Sequence, residues 1–279
     1  MKRGTIQTVD LVRHVVKCGH PDSDNTSANE VTVSTLNIAH GRGLRTHQAL
    51  VKPEVIKDNL ERIAALFWQE KSQIVAIQEA DIKSFWTGNI NQVRDLAERS
   101  GFSISVAGAH MQRYRLSYGT ALLSSVALTN PISVTFKPEK PLPPKGAVIA
   151  TFYLGGVNPI PVDIVSVHLD FARSGARFRQ ISELIDLLAS RNNRCIVMGD
   201  FNCDWSSEQS ALRIIARKLN LIGFDPHDNT LETFRSRGTR LDWILISRDL
   251  QFIEHRVLSD RVSDHQPVTA RIGFSPARG

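Results

Sequence analysis

Gly199-Asp200-Phe201-Asn202 follows directly on the apolar run Cys195-Ile196-Val197-Met198. A buried strand ending this way delivers an acid and an amide to a sheet edge, where a ligand rather than packing can employ them. Asn37, Glu79, His168, Asp242 and the Asp264-His265 pair also sit at or near the ends of apolar runs spread over most of the chain. If the strands ending in Asn37 and Glu79 are neighbours, a carboxylate and a side-chain carbonyl converge as a hard-oxygen pair suited to Mg²⁺ or Mn²⁺. A histidine held in one tautomer by a carboxylate can take a proton from water near neutral pH. His265 is the candidate base and Asp242 the candidate orienter, while Asp264 is better placed for the metal or its waters. His168 could stabilise charge on a phosphoryl oxygen or protonate a leaving oxygen. Each residue alone has a plainer reading: a turn former at Asn37, a strand-end acid at Glu79, a capping Asp264 beside a surface His265, a hydrogen-bonded strand-end His168. Only as a set do they point to chemistry.

Periodicity supplies the elements that must position these groups. Val31 to Ile38 alternates like a half-buried strand, and Pro53 to Gln69 sets Ile56, Leu60, Ile63, Ala64 and Phe67 on one helical face. Ile74 to Ile77, Ser103 to Ala107, Thr120 to Leu123, Ala147 to Tyr153, Val162 to Val167, Leu241 to Ile246 and Val268 to Ile272 read as strands. Helices are expected over Arg177 to Ala189 and around Glu208 to Leu219. Four prolines between Lys137 and Lys145 predict an extended surface loop. Pro21 to Ser27 has too little apolar surface to offset its ordering entropy, so residues 1–30 read as a loosely ordered leader and residues 31–275 as one catalytic domain.

The 279 residues carry 34 Lys and Arg against 28 Asp and Glu, a formal net charge of +6. That balance favours polyanionic partners, nucleic acid first and an anionic membrane surface as peripheral contact second. Cys18, Cys195 and Cys203 show neither metal-ligand spacing nor a disulfide framework. With no secretory leader and no apolar run of membrane-spanning length, a cytoplasmic location is expected.

Thr35-Leu36-Asn37, Gln78-Glu79, Val167-His168-Leu169, Gly199-Asp200-Phe201-Asn202, Leu241-Asp242-Trp243-Ile244 and Ser263-Asp264-His265, in that order, resemble the endonuclease/exonuclease/phosphatase superfamily. The resemblance implies an α/β fold, a four-layer αββα sandwich of two packed mixed sheets flanked by helices. It implies Mg²⁺, with Mn²⁺ as a substitute, held by Glu79 with help from Asn37. It further implies His265 as base oriented by Asp242, Asp200 and Asn202 positioning water and phosphate, Asp264 supporting the metal or the histidine, and His168 stabilising the transition state.

His168 in its segment resembles the deoxyribonuclease-like, sphingomyelinase-like and phosphatase branches and departs from the abasic-site endonucleases. The expected substrate is a phosphoester, with a nuclease or other phosphodiesterase leading and a phospholipid or inositol-phosphate hydrolase as alternative. A non-catalytic binding module has no need for both Glu79 and His265. Arginines beside the motifs, Arg42 and Arg45, Arg113 and Arg115, Arg173, Arg177 and Arg179, and Arg235, Arg237 and Arg240, form a phosphate-binding collar if several share one rim, or else lie on solvated loops and a charged helix face.

Overall fold

The computed structural model describes residues 4–14, 29–138 and 140–275. In chain order the elements are β1 (Thr5–Thr8), β2 (Val12–Arg13), β3 (Glu30–Asn37), α1 (Pro53–Gln69), β4 (Ile74–Asp81), α2 (Gln92–Arg99), β5 (Ile104–Arg113), β6 (Leu116–Ser124) and β7 (Thr129–Thr135). There follow β8 (Gly146–Leu154), β9 (Ile160–His168), α3 (Ser174–Arg191), β10 (Arg194–Asp200), α4 (Ala211–Lys218), β11 (Leu221–Gly223), β12 (Asp242–Ser247), β13 (Leu250–Val257) and β14 (Val268–Phe274).

Strands apolar at every position must be covered on both faces, and here they are. In β4, Ile74 and Ala76 face the space between two sheets while Val75 and Ile77 face helices. In β10, Ile196 and Met198 point between the sheets and Cys195 and Val197 towards helices. The sheets run β1-β7-β8-β9-β10-β12-β11 and β13-β14-β3-β4-β6-β5-β2. Ile56, Leu60, Ile63 and Phe67 of α1 and Val93 and Leu96 of α2 cover the second sheet. Ile181, Leu184 and Leu188 of α3 and Leu212 and Ile215 of α4 cover the first. The result is the expected four-layer α/β sandwich. Each sheet is mixed: β9 runs parallel to β10 and β3 parallel to β4, among antiparallel neighbours.

The described part of the expected leader is structured. Thr5–Thr8 pairs with β7 and Val12–Arg13 with β5, so one segment edges both sheets. Composition does not reveal this, because the strands are held by backbone hydrogen bonds to open strand edges, with Val9 and Leu11 between them the partly buried side chains that pack on the core. Pro21 to Ser27 and Cys18 lie outside the described residues. Cys195 and Cys203 are free thiols, pushed up to about 12 and about 11 by burial. Among the described residues no helix is long and apolar enough to cross a membrane.

Candidate active site

Strand direction gathers the polar ends on one edge. Parallel strands β3 and β4 end at Asn37 and beyond Glu79, and parallel strands β9 and β10 end at His168 and Asp200, which are direct partners. Strand β12 runs the other way, so its first residue, Asp242, stands opposite Asp200. Strand β14 runs antiparallel to β3 with Val268 opposite Thr35, which sets His265, just before it, near Asn37. Below this edge the sheets are tied together: Gln78 Nε2 donates to Ser166 Oγ at 3.1 Å and Ser166 Oγ to the Ile77 carbonyl at 3.1 Å.

A cavity of about 280 Å³ opens there, lined by Asn37, Glu79, His168, Asp200, Asn202, Asp264 and His265. Asp242 lies beneath it, fully buried, with Oδ2 2.7 Å from His265 Nδ1. A carboxylate only accepts, so Nδ1 carries the proton and Nε2 is left for substrate. Burial alone would lower the His265 imidazolium, but Asp242 and then Asp200 outweigh it and push its pKa up to about 10. Asp200 accepts from Asn37 Nδ2 at 3.0 Å and from the Asn202 amide at 3.0 Å. Burial, opposed by His265 and reinforced by Asp242, pushes the Asp200 carboxyl upward. His168 Nε2 lies 3.4 Å from Asp200 Oδ2 and 3.0 Å from Lys145 Nζ. Burial and then the Lys145 charge hold His168 well below its ordinary value, so its ring is neutral. Asn202 anchors its amide on the Leu169 carbonyl at 3.0 Å.

Glu79 sits on a bulge of β4 with a left-handed φ of 52° and keeps 24 % of its side chain exposed. Burial opposes its ionisation, but Lys145, His40 and His168 together hold its carboxyl well below the usual carboxylate range. Lys145 Nζ and the facing nitrogens of His40 and His168 stand at 3.5, 3.7 and 3.9 Å, at or beyond hydrogen-bond reach, so its oxygens keep lone pairs for a ligand. Asn37 Oδ1 accepts from the Ala39 amide at 3.0 Å and retains one lone pair. This hard-oxygen set suits a divalent cation. Ligand atoms of Asp200, Asp242 and His265 also lie within 4.8 Å of one another, and the unpartnered Asp242 Oδ1 belongs to that group. The tight Asp242–His265 bond, however, already engages two of its three members. Asp264 faces the cavity but is clamped by Arg42 on Oδ2 and takes Ser263 Oγ on Oδ1 at 3.2 Å.

Several groups here carried no sequence signal of their own. Lys145 belongs to a proline-rich loop in sequence, yet it ends that loop inside the site, one residue before β8. Phe171 and Phe234 wall the cavity, Phe234 at 4.8 Å from the His265 ring. Of the arginine clusters, Arg42 and Arg237 reach this cavity. Arg240 is instead buried over the Trp243 ring at 3.8 Å and pins the Phe224 and Asp225 carbonyls. Trp205 packs on Trp243 in the core between sheet and helices.

The family model for the endonuclease/exonuclease/phosphatase family matches residues 34–265. No curated protein sequence matches. Among solved structures, the chain is similar to an endonuclease/exonuclease/phosphatase from Beutenbergia cavernae DSM 12333, with 18% identity, a TM-score of 0.68, and coverage of 89% of this chain and 72% of that one. The human Nocturnin catalytic domain with bound sulfate anion gives 18% identity, a TM-score of 0.65, and coverage of 96% and 98%. A mannosyl-6-phosphatase from Bacteroides thetaiotaomicron VPI-5482 gives 16% identity, a TM-score of 0.63, and coverage of 88% and 100%. At these identities the structures speak for the fold, and the family model, spanning most of the chain and both halves of the cavity, decides membership. The chain belongs to the endonuclease/exonuclease/phosphatase family of phosphoester hydrolases.

Proposed function

We propose that the protein is a Mg²⁺-dependent phosphodiesterase acting on nucleic acid, with Mn²⁺ able to replace Mg²⁺. The observation that carries the hydrolytic reading is the Asp242–His265 bond of 2.7 Å opening onto the cavity that Glu79, Asp200 and Asn202 share. His265 Nε2 takes a proton from water as its oxygen bonds to phosphorus, and the ester P–O bond opposite breaks, its electron pair leaving on the alcohol oxygen, which takes a proton from solvent. Asp242 holds the ring and stabilises the imidazolium that forms. Asp200 and Asn202, braced by Asn37 and Leu169, position water and phosphate. Neutral His168 donates to a phosphoryl oxygen, and Lys145 adds positive charge beside it. Glu79 and Asn37 would hold the divalent cation, which would supply charge neutralisation on the phosphoryl oxygens and, by the same charge, lower the His265 pKa.

Nucleic acid is favoured by a groove of about 900 Å³ that shares Asn202, Arg237 and Leu241 with the catalytic cavity and adds Arg177, Arg217 and Lys218. A chain of phosphates leaving the cavity would meet those cations. A terminal phosphate on a small alcohol is the second reading, favoured by the modest cavity and by Arg42, Lys145 and Arg237 around it. Hydrolysis of plasmid DNA, single-stranded DNA, RNA, bis-p-nitrophenyl phosphate, sphingomyelin and sugar or inositol phosphates, with Mg²⁺ and with chelator, separates the readings. Cleavage of nucleic acid that falls about 10²–10⁴-fold in His265→Ala is expected. Turnover confined to a lipid or a phosphomonoester would replace the nuclease assignment, and activity indifferent to chelator would remove the cation.

A further inference from the structure

Beside Glu79 stands a second carboxylate–histidine pair that hydrolysis as described does not use. His40, on the turn after β3, has Nδ1 3.0 Å from Asp81 Oδ2 and Nε2 3.7 Å from Glu79 Oε2. Asp81 is fully buried near the same bulge of β4, and its oxygens also face Trp86 Nε1 at 3.3 and 3.4 Å. The fully buried Gln92 clamps both backbones, donating from Nε2 to the His40 carbonyl at 2.6 Å and accepting on Oε1 from the Asp81 amide at 2.9 Å. Trp86 and Tyr118 pack edge-on against the imidazole, with centroids 5.4 and 4.8 Å away. Ala39, His40 and Glu79 all hold left-handed φ values, 47°, 57° and 52°. Non-glycine residues persist there only where their surroundings over-determine them. The ring therefore has one orientation, and its free nitrogen faces one oxygen of Glu79.

We propose that His40 is a positioning residue for Glu79. Held by Asp81 and walled by Trp86 and Tyr118, its ring bounds Oε2 by contact at 3.7 Å, without a direct hydrogen bond, and so limits how far the Glu79 carboxylate can turn when it takes the divalent cation. This rests on the reading of Glu79 as the cation ligand. A carboxylate restrained at one oxygen loses less orientational freedom when the other takes a ligand, which is how outer-shell partners strengthen metal sites.

The test is Mn²⁺ binding to the full chain, followed by the paramagnetic resonance of free Mn²⁺ at fixed pH and salt. Wild type is compared with His40→Gln, Asp81→Asn, Glu79→Gln and the His40→Gln/Glu79→Gln double variant, each checked for folding by circular dichroism. His40→Gln and Asp81→Asn are expected to weaken Mn²⁺ binding about 10-fold or more, as outer-shell changes do. The double variant is expected to bind no more weakly than Glu79→Gln alone, because His40 acts through that carboxylate. Wild-type affinity in His40→Gln and Asp81→Asn, or losses that multiply in the double variant, would overturn the role of His40 and leave Glu79 as ligand. A wild type without Mn²⁺ affinity, or a Glu79→Gln variant that binds like wild type, would overturn both. Should His40→Gln fail to fold, Asp81→Asn decides by the same criterion.

Discussion

Asp242 gives one oxygen to His265 and leaves the other buried without a partner, so the charge of this carboxylate is directed almost wholly at the imidazole. That makes the sign of its removal calculable. As the proposed base His265 must be neutral to accept a proton from water, and with its pKa pushed up to about 10 hydrolysis is expected to rise with pH as the ring deprotonates. Asp242→Asn removes the largest carboxylate contribution that raises it, so the rising limb of the rate profile moves to lower pH. The maximal rate falls about 10²–10⁴-fold, because the ring loses the group that fixes its tautomer and stabilises its charged form. Saturating Mg²⁺ moves the limb in the same direction. Hydrolysis of bis-p-nitrophenyl phosphate by both proteins across pH, at low and high Mg²⁺, checks all three statements. A limb that stays in place in Asp242→Asn would mean that another group sets it.

The eight candidate site residues could be picked from the sequence because each ends, precedes or nearly ends an apolar run, and strand ends are where side chains escape packing; the structure brings seven of them to one cavity with Asp242 beneath it. Elements buried on two faces were equally legible: β4, β10 and β12 carry the unbroken apolar runs Ile74 to Ile77, Cys195 to Met198 and Trp243 to Ile246, and β9 is apolar but for Asp163 and Ser166 before its closing His168. Half-covered elements were not. Helix α2 buries Val93, Leu96 and Ala97 on an otherwise charged octet, and edge strand β13 buries Leu250 fully and little else. Lys145 and His40 lie in a loop and a turn, where no periodicity relates a residue to what it faces. One element end is constrained enough for a prediction. Gly199, the residue before Asp200, has φ 143°, and a Cβ there would meet the Val167 carbonyl oxygen at 2.0 Å. Val167 is its partner on β9, so Gly199→Ala must push β9 and β10 apart where His168 faces Asp200. A loss of about 1–3 kcal/mol of stability in urea is expected, together with a disproportionate loss of turnover. Stability lost with turnover intact would show that the site tolerates the shift.

At the scale of the whole molecule, the edge that carries the candidate site is shared between two sheets: one supplies Asn37 and Glu79, the other His168, Asp200 and Asp242. Asn37 to Asp200 and Gln78 to Ser166 are hydrogen bonds from sheet to sheet, so the site forms only when both sheets pack. The N-terminal segment adds a constraint of another kind. By pairing with β7 and with β5 it covers the last strand on one side of each sheet. Without it, the stretches it pairs with, four residues of β7 and two of β5, would add their unpaired backbone groups to these edges. A chain shortened to begin at Asn29 keeps every catalytic group. It is expected to hydrolyse phosphoesters when dilute, yet to grow in mass with concentration in light scattering, where the full chain keeps one mass. A truncated chain with the same mass at all concentrations would show the edges to be harmless. In that sense residues 5–13 guard the colloidal state of the protein, and a chain trimmed to its family-defining core would gain a route to aggregation that the chemistry does not require.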